Sequence, residues 1–126
     1  MPDDKRFADG MKTRRAVLGD EHVNAATEAA TDFDRDFQEF ITRYAWGDIW
    51  SREGLPRSTR SIVTIALLLA LNREEELRMH LRAAVRNGVT KNEIKETLMH
   101  CAIYCGLPAA NSAFKIAREV LSETTK

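Results

Sequence analysis

The sequence predicts an all-α protein built as a compact multi-helix domain, and three observations carry that prediction. Breakers cluster at Gly19, Gly47, Gly54-Leu55-Pro56, Gly88 and Gly106-Leu107-Pro108, and the segments between them repeat apolar residues at three- and four-residue spacing rather than alternately. The stretch "TKNE", Thr90 to Glu93, has the form of a capping box. The run "IVTIALLLAL", Ile62 to Leu71, is too short for the roughly 20 residues that span a bilayer and reads as a buried helix.

In chain order, residues 1–12 lack periodicity and are expected to form a loose arm ahead of a single domain over 13–122. In "TDFDRDFQEFITRY" Thr31 is placed to cap a helix, and Phe33, Phe37, Phe40, Ile41 and Tyr44 form its predicted buried face. "WGDIWSREGLP" is expected to break that helix and carry Trp46 and Trp50 into a connection, where large aromatics pack over a core edge or line a ligand site. A helix follows from Arg57 or Ser58 to about Leu71, apolar on nearly all sides and so expected at the centre of a bundle. Asn72 can stop it and cap the next helix, "REEELRMHLRAAVRNG", whose acids come first and whose Arg86 and Gly88 come last, as the helix dipole favours. The capping box opens a helix with Ile94, Leu98, Cys101, Ala102 and Cys105 on one stripe, closed by Gly106. Pro108 suits the first turn of a last helix with Ala110, Phe114, Ala117 and Leu121 inward, leaving 123–126 as a tail.

The 126 residues suffice for one core. Nineteen basic residues balance nineteen acidic ones and the signs are interspersed, which argues against nucleic-acid and membrane-surface partners. The opening "MPDDKRFADGMKTRR" lacks a secretory pattern, so a reducing cytoplasm is expected for the two cysteines.

Cys101 and Cys105 pose the first chemical question. They are separated by three residues in the last half of a helix, where the dipole disfavours a thiolate, and their nearly parallel Cβ bonds suit a disulfide poorly. His100 points about 100 degrees around the helix from Cys101, so a metal cluster is not indicated. Packing is the expected role. Glu76 and His80, four apart, put a carboxylate and an imidazole on one helix face, either as an acid–base pair or as a solvated pair. Arg60, the last charge before ten uncharged residues, can snorkel to water or turn its fork to a carboxylate. No phosphate loop, nucleophile elbow or zinc spacing occurs.

The ordered blocks "RRAVLGDEHV", "FITRYAWGDIWSREGLPRSTRS", "ELRMHLRAAVRNGVTKNEIKE" and "YCGLPAANSAF" closely resemble the carboxymuconolactone decarboxylase family, across roughly Lys12 to Leu121. The wider alkylhydroperoxidase-like superfamily includes thiol enzymes with C-x-x-C followed by three residues and His. Laid on this chain that signature would end at His80, with Arg73 and Glu76 where the cysteines would stand. The resemblance therefore implies a lyase rather than a thiol peroxidase. What it implies is cofactor-free decarboxylation of 4-carboxymuconolactone to 3-oxoadipate enol-lactone, in the β-ketoadipate route of protocatechuate and aromatic catabolism. It also implies a homo-oligomer, commonly a hexamer, acting on a small lactone dicarboxylate. With the reacting face on the helix of Glu76 and His80, these two are the expected catalytic residues, and Arg60, Trp46 and Trp50 the expected substrate-binding residues. A thiol-dependent peroxidase and a non-catalytic metabolite-binding assembly module are the alternatives.

Overall fold

A computed structural model describes residues 2–124, and among these are seven α-helices, one π-helix and no strand. The all-α prediction holds. Where the sequence reading expects one domain over 13–122, the chain forms two compact units, Met1–Pro56 and Arg57–Lys126, divided just after the Gly54-Leu55-Pro56 breaker.

The first unit contains α1 (Asp3–Leu18), α2 (Asp20–Ala29), α3 (Arg35–Ile41) and the π-helix (Thr42–Trp50). Residues 3–12 are helical and not a loose arm. Asp3 and Asp4 stand in the first turn and Arg15 in the last, matching the dipole. Hydrophobic periodicity misses α1 because its buried residues are Gly10, Thr13, Arg14 and Val17, of which Val17 alone is strongly apolar. Gly19 ends it at a φ of 92°, donating its N–H to the Arg15 carbonyl.

Three further expectations are corrected in this unit. The stripe predicted as buried faces outward: Phe33 is 96% exposed, and Phe37, Phe40 and Tyr44 are also exposed. Their spacing reports one face of the helix, but the inward face is held by Thr42, Trp46 and Trp50 instead. The helix also starts three residues later than expected. Asp34 is its cap residue, and the Asp34 carboxylate accepts the Thr31 N–H at 2.7 Å. Gly47 does not break the helix, since the chain continues as a π-helix through Trp50 and yields only at 51–56. The glycine serves close approach: a Cβ there would lie 2.7 Å from the Arg6 carbonyl oxygen of α1.

The second unit contains α4 (Arg57–Ala70), α5 (Glu74–Arg86), α6 (Lys91–Cys105) and α7 (Leu107–Thr124). Its core gathers Ile65 and Leu69 of α4, Leu77 and Leu81 of α5, Ile94 and Leu98 of α6, and Ala113, Ala117 and Val120 of α7. The expectation that α4 is buried on all sides is not met. Ser61, Ile65 and Leu69 are buried, whereas Val63, Leu67 and Leu71 are exposed. Asn72 stops α4 in the left-handed region, at a φ of 59°, but Arg73 rather than Asn72 caps α5. The capping box forms as predicted, with the Glu93 N–H donating to Thr90 Oγ1 at 3.0 Å and the Thr90 N–H to Glu93 Oε1 at 2.9 Å. Gly106 closes α6 at a φ of 102° and Pro108 sits in the first turn of α7. Of the expected tail, Glu123 is helical and holds the Arg82 fork at 2.8 and 2.9 Å, while 125–126 lie outside the described residues. Among the described residues no helix is long and apolar enough to cross a membrane.

Candidate active site

The second unit holds Arg60, Glu76 and His80, and the first holds Trp46 and Trp50. On α5 the buried positions Leu77, His80, Leu81 and Ala84 recur at helical spacing, so the imidazole lies on the stripe that the leucines draw into the core. His80 is 9% exposed. Glu76, one turn earlier, falls outside that stripe and is exposed. The pair thus shares a helix but not an environment, and no hydrogen bond or ion pair holds Glu76 among the described residues.

Arg60 stands in the first turn of α4, which packs on α5. Its side chain is half-buried, and its Nε is buried without a hydrogen-bond partner. Among the described residues no carboxylate pairs with it. A buried N–H without an acceptor is a donor that an incoming carboxylate would satisfy. The neighbouring Ser61 is wholly buried and accepts the Asn87 amide N–H at 3.1 Å, tying the start of α4 to the end of α5. Thr64 Oγ1 donates to the Arg60 carbonyl at 2.8 Å, a further tie within the helix.

The tryptophans, expected in a connection, lie in the π-helix, and both are buried. Their rings stack with centroids 5.1 Å apart and planes 30° from parallel. The cysteines are free, Cys101 buried and Cys105 half-buried. Burial first, and then the neighbouring Cys105, push the Cys101 thiol up. It is held protonated, which suits packing rather than nucleophilic chemistry. Among the described residues no three His, Cys, Asp or Glu side chains gather as a metal site would require.

A groove of about 830 Å³ in the second unit is lined mainly by apolar residues of α6 and α7, including Ile94, Leu98 and Phe114, with Lys91, Lys95 and Arg118. None of the five expected site residues lines it. Its lining has no histidine or carboxylate, so it offers neither an imidazole nor a carboxyl group for proton transfer.

Sequence reasoning missed Arg14. It is buried, and it donates from Nη1 to Thr42 Oγ1 at 3.1 Å and from Nη2 to Gln38 Oε1 at 2.9 Å. Burial, and then the neighbouring Arg15, push its pKa below the ordinary arginine value. The signal lies in the "TRR" segment, in which the face of α1 facing the π-helix is polar; a search for apolar faces passes over it.

The second unit is thus a small all-helical body with a buried imidazole on α5 and, on the neighbouring α4, a half-buried arginine that no acid pairs with among the described residues. Residues 35–119 match the carboxymuconolactone decarboxylase family, and the chain belongs to that family. It is 58% identical over 123 residues to the 4-carboxymuconolactone decarboxylase of Acinetobacter baylyi, covering 98% of this chain and 92% of the relative. It is 42% identical over 117 residues to the nitrosuccinic acid decarboxylase npaB of Metarhizium robertsii, covering 93% and 82%. A Pseudomonas putida 4-carboxymuconolactone decarboxylase sequence is 52% identical over 48 residues, 38% of this chain and 100% of that relative.

Proposed function

We propose that this protein decarboxylates 4-carboxymuconolactone to 3-oxoadipate enol-lactone and carbon dioxide, in the β-ketoadipate route of protocatechuate breakdown. The observation that carries the reading is the 58% identity to the Acinetobacter enzyme over nearly all of both chains. The Metarhizium relative, named for another acid, is also a decarboxylase, so the reaction class has broader support than the substrate.

The substrate is its own electron sink. When the bond to the ring carboxylate breaks, the electron pair passes through the ring double bond onto the lactone carbonyl oxygen, and carbon dioxide leaves. The dienolate then takes one proton at the α carbon as the carbonyl re-forms. The reading assigns the chain three tasks: to hold the carboxymethyl arm, to stabilise the dienolate oxygen and to deliver that proton. Each hydrogen-bond donor aimed at the oxygen in a dry pocket contributes about 3–4 kcal/mol.

His80 is the proposed proton donor, and its burial supports the assignment, because a proton is delivered to carbon most effectively where water does not compete. Arg60 is assigned to the carboxymethyl arm, supported by its buried, unpaired Nε. A tight grip on the departing carboxylate would stabilise the ground state instead. Glu76, exposed and unrestrained, is proposed to turn toward the imidazole and orient it. Trp46 and Trp50, buried and stacked on each other, are proposed as substrate-binding residues that wall the pocket and exclude water. The reading includes a cytoplasmic homo-oligomer, a hexamer by family resemblance; the free cysteines and the exposed apolar residues are in keeping with it.

The direct test is carbon dioxide release from freshly generated 4-carboxymuconolactone by purified protein, with chelator present and after thiol alkylation. Rapid release insensitive to both is expected. Loss of activity on alkylation would favour the thiol-dependent alternative, and saturable binding without turnover would favour the non-catalytic one.

A further inference from the structure

Helix α1 packs along the π-helix, and its residues Arg6, Gly10, Thr13 and Arg14 meet the π-helix or the residue that follows it. Arg6 Nε donates to Asp48 Oδ1 at 2.9 Å. Gly10 lies so close that a Cβ would collide with the Thr42 carbonyl oxygen and stand 2.9 Å from the Gly47 nitrogen. The hydroxyls of Thr13 and Ser51 share a hydrogen bond of 2.7 Å, and Ser51 Oγ also lies 2.7 Å from the Trp46 carbonyl oxygen, to which it donates. Arg14 grips the other end through Thr42 and Gln38. Trp46 and Trp50 lie between these fixed points.

Two features separate this arrangement from ordinary packing. A nine-residue π-helix is unusual, since the form ordinarily occurs as a single turn within an α-helix and concentrates at functional sites. Arg14, at 5% exposure, also bonds only neutral oxygens. An apolar side chain of similar length would be cheaper to bury. What the guanidinium supplies is two directed bonds one helical turn apart, at Gln38 and at Thr42, the residue where the π-helix begins.

We propose that α1 braces the substrate-binding tryptophans, with Arg14 as a positioning residue that sets the π-helix at Thr42 and thereby the stacked attitude of Trp46 and Trp50. The inference rests on the reading of this pair as substrate-binding. The chain contains no other tryptophan, so the near-ultraviolet circular dichroism of coupled indoles reports this pair alone.

The test uses full-length Thr42→Val, Thr42→Ser and Arg14→Met, with Trp46→Phe defining the spectrum of an uncoupled indole. Thr42→Val keeps the shape and removes the hydroxyl that accepts from Arg14 and itself donates to the Gln38 carbonyl at 2.7 Å, whereas Thr42→Ser keeps both bonds and Arg14→Met removes only those of the guanidinium. In Thr42→Val and Arg14→Met the coupled-indole signal is expected to fall by about half or more, and KM for the lactone to rise about tenfold with kcat changed less than about threefold. Thr42→Ser should retain both. A wild-type spectrum in folded Thr42→Val overturns the proposal, as does a Thr42→Ser variant as impaired as Thr42→Val, which would assign the effect to lost packing. A lost signal with unchanged KM upholds the brace and removes the tryptophans from substrate binding. Thr42→Val carries the test if Arg14→Met does not fold.

Discussion

At the scale of single residues, the second unit separates a buried imidazole from an exposed carboxylate one turn away, and this orders the expected effects of substitution. His80→Ala should lower kcat by about 100-fold or more, as loss of a general acid does, while leaving helix content intact. Near-normal turnover of the folded variant would remove His80 from the mechanism. Arg60→Met should act differently. In its proposed role on the carboxymethyl arm Arg60 would supply a charge-assisted contact worth about 1.5–3 kcal/mol, shared by substrate and transition state, so KM should rise about 10- to 100-fold with kcat little changed. A fall in kcat at constant KM would move Arg60 from the arm to the reacting centre. Glu76, in water and held by nothing, should give the mildest phenotype of the three, and Glu76→Gln measured beside His80→Ala checks that order. Cys101 adds a pH dependence. Its raised thiol pKa favours the folded state fully below the unfolded-state value, and that contribution is lost as pH rises through the folded-state value. Alkylation of Cys101 should therefore be slow at neutral pH and accelerate only in alkali, which labelling followed by mass spectrometry would measure.

At the scale of elements, the polar signals in the sequence are local and legible, and the burial signals less so. Thr90 and Glu93 form their reciprocal bonds, Asn72, Gly88 and Gly106 adopt the positive φ that stops a helix, and α4 to α7 fall close to their expected spans. Removing one oxygen at such a cap, Thr90→Ala, should cost about 1 kcal/mol, read as a lowered midpoint in urea with an unchanged slope. The misreadings have a common cause. Apolar periodicity identifies a helix face but not the side on which the chain covers it, so it points Phe33, Phe37 and Phe40 inward and sends Val63 and Leu67 to a core, where none of them lies. Conversely, α1 is held by backbone proximity at Gly10 and hydrogen bonds from Thr13 and Arg14, which no hydrophobic pattern encodes. The five candidate site residues rest on spacing together with family resemblance; the burial of His80 beside an exposed Glu76 follows from how α5 packs, which spacing does not encode.

At the scale of the whole molecule, a further set of exposed apolar residues bears on the proposed assembly. Met99 and Ile103 share a face of α6, Tyr104 stacks on His100, and Leu107 opens α7; Ile103, Tyr104 and Leu107 are each more than two-thirds exposed. Fully burying a large apolar side chain is worth about 1.5–3 kcal/mol, so an isolated chain leaves that stabilisation unrealised at several contiguous positions. Association through such a face recovers it, and a closed symmetric assembly covers the face on every copy at once. Light scattering should then give a mass that is a multiple of the 14.3 kDa chain, six chains being the expectation from family resemblance. Ile103→Lys combined with Leu107→Lys should shift the mass to smaller species while circular dichroism keeps its helical signal, because both positions are solvent-exposed within the chain. An unchanged mass would take this face out of the assembly and direct attention to the aromatic stripe of Phe33, Phe37 and Phe40. A smaller species that retains full turnover would show that each chain carries its chemistry alone. One that loses turnover while remaining folded would show that the competent site depends on assembly.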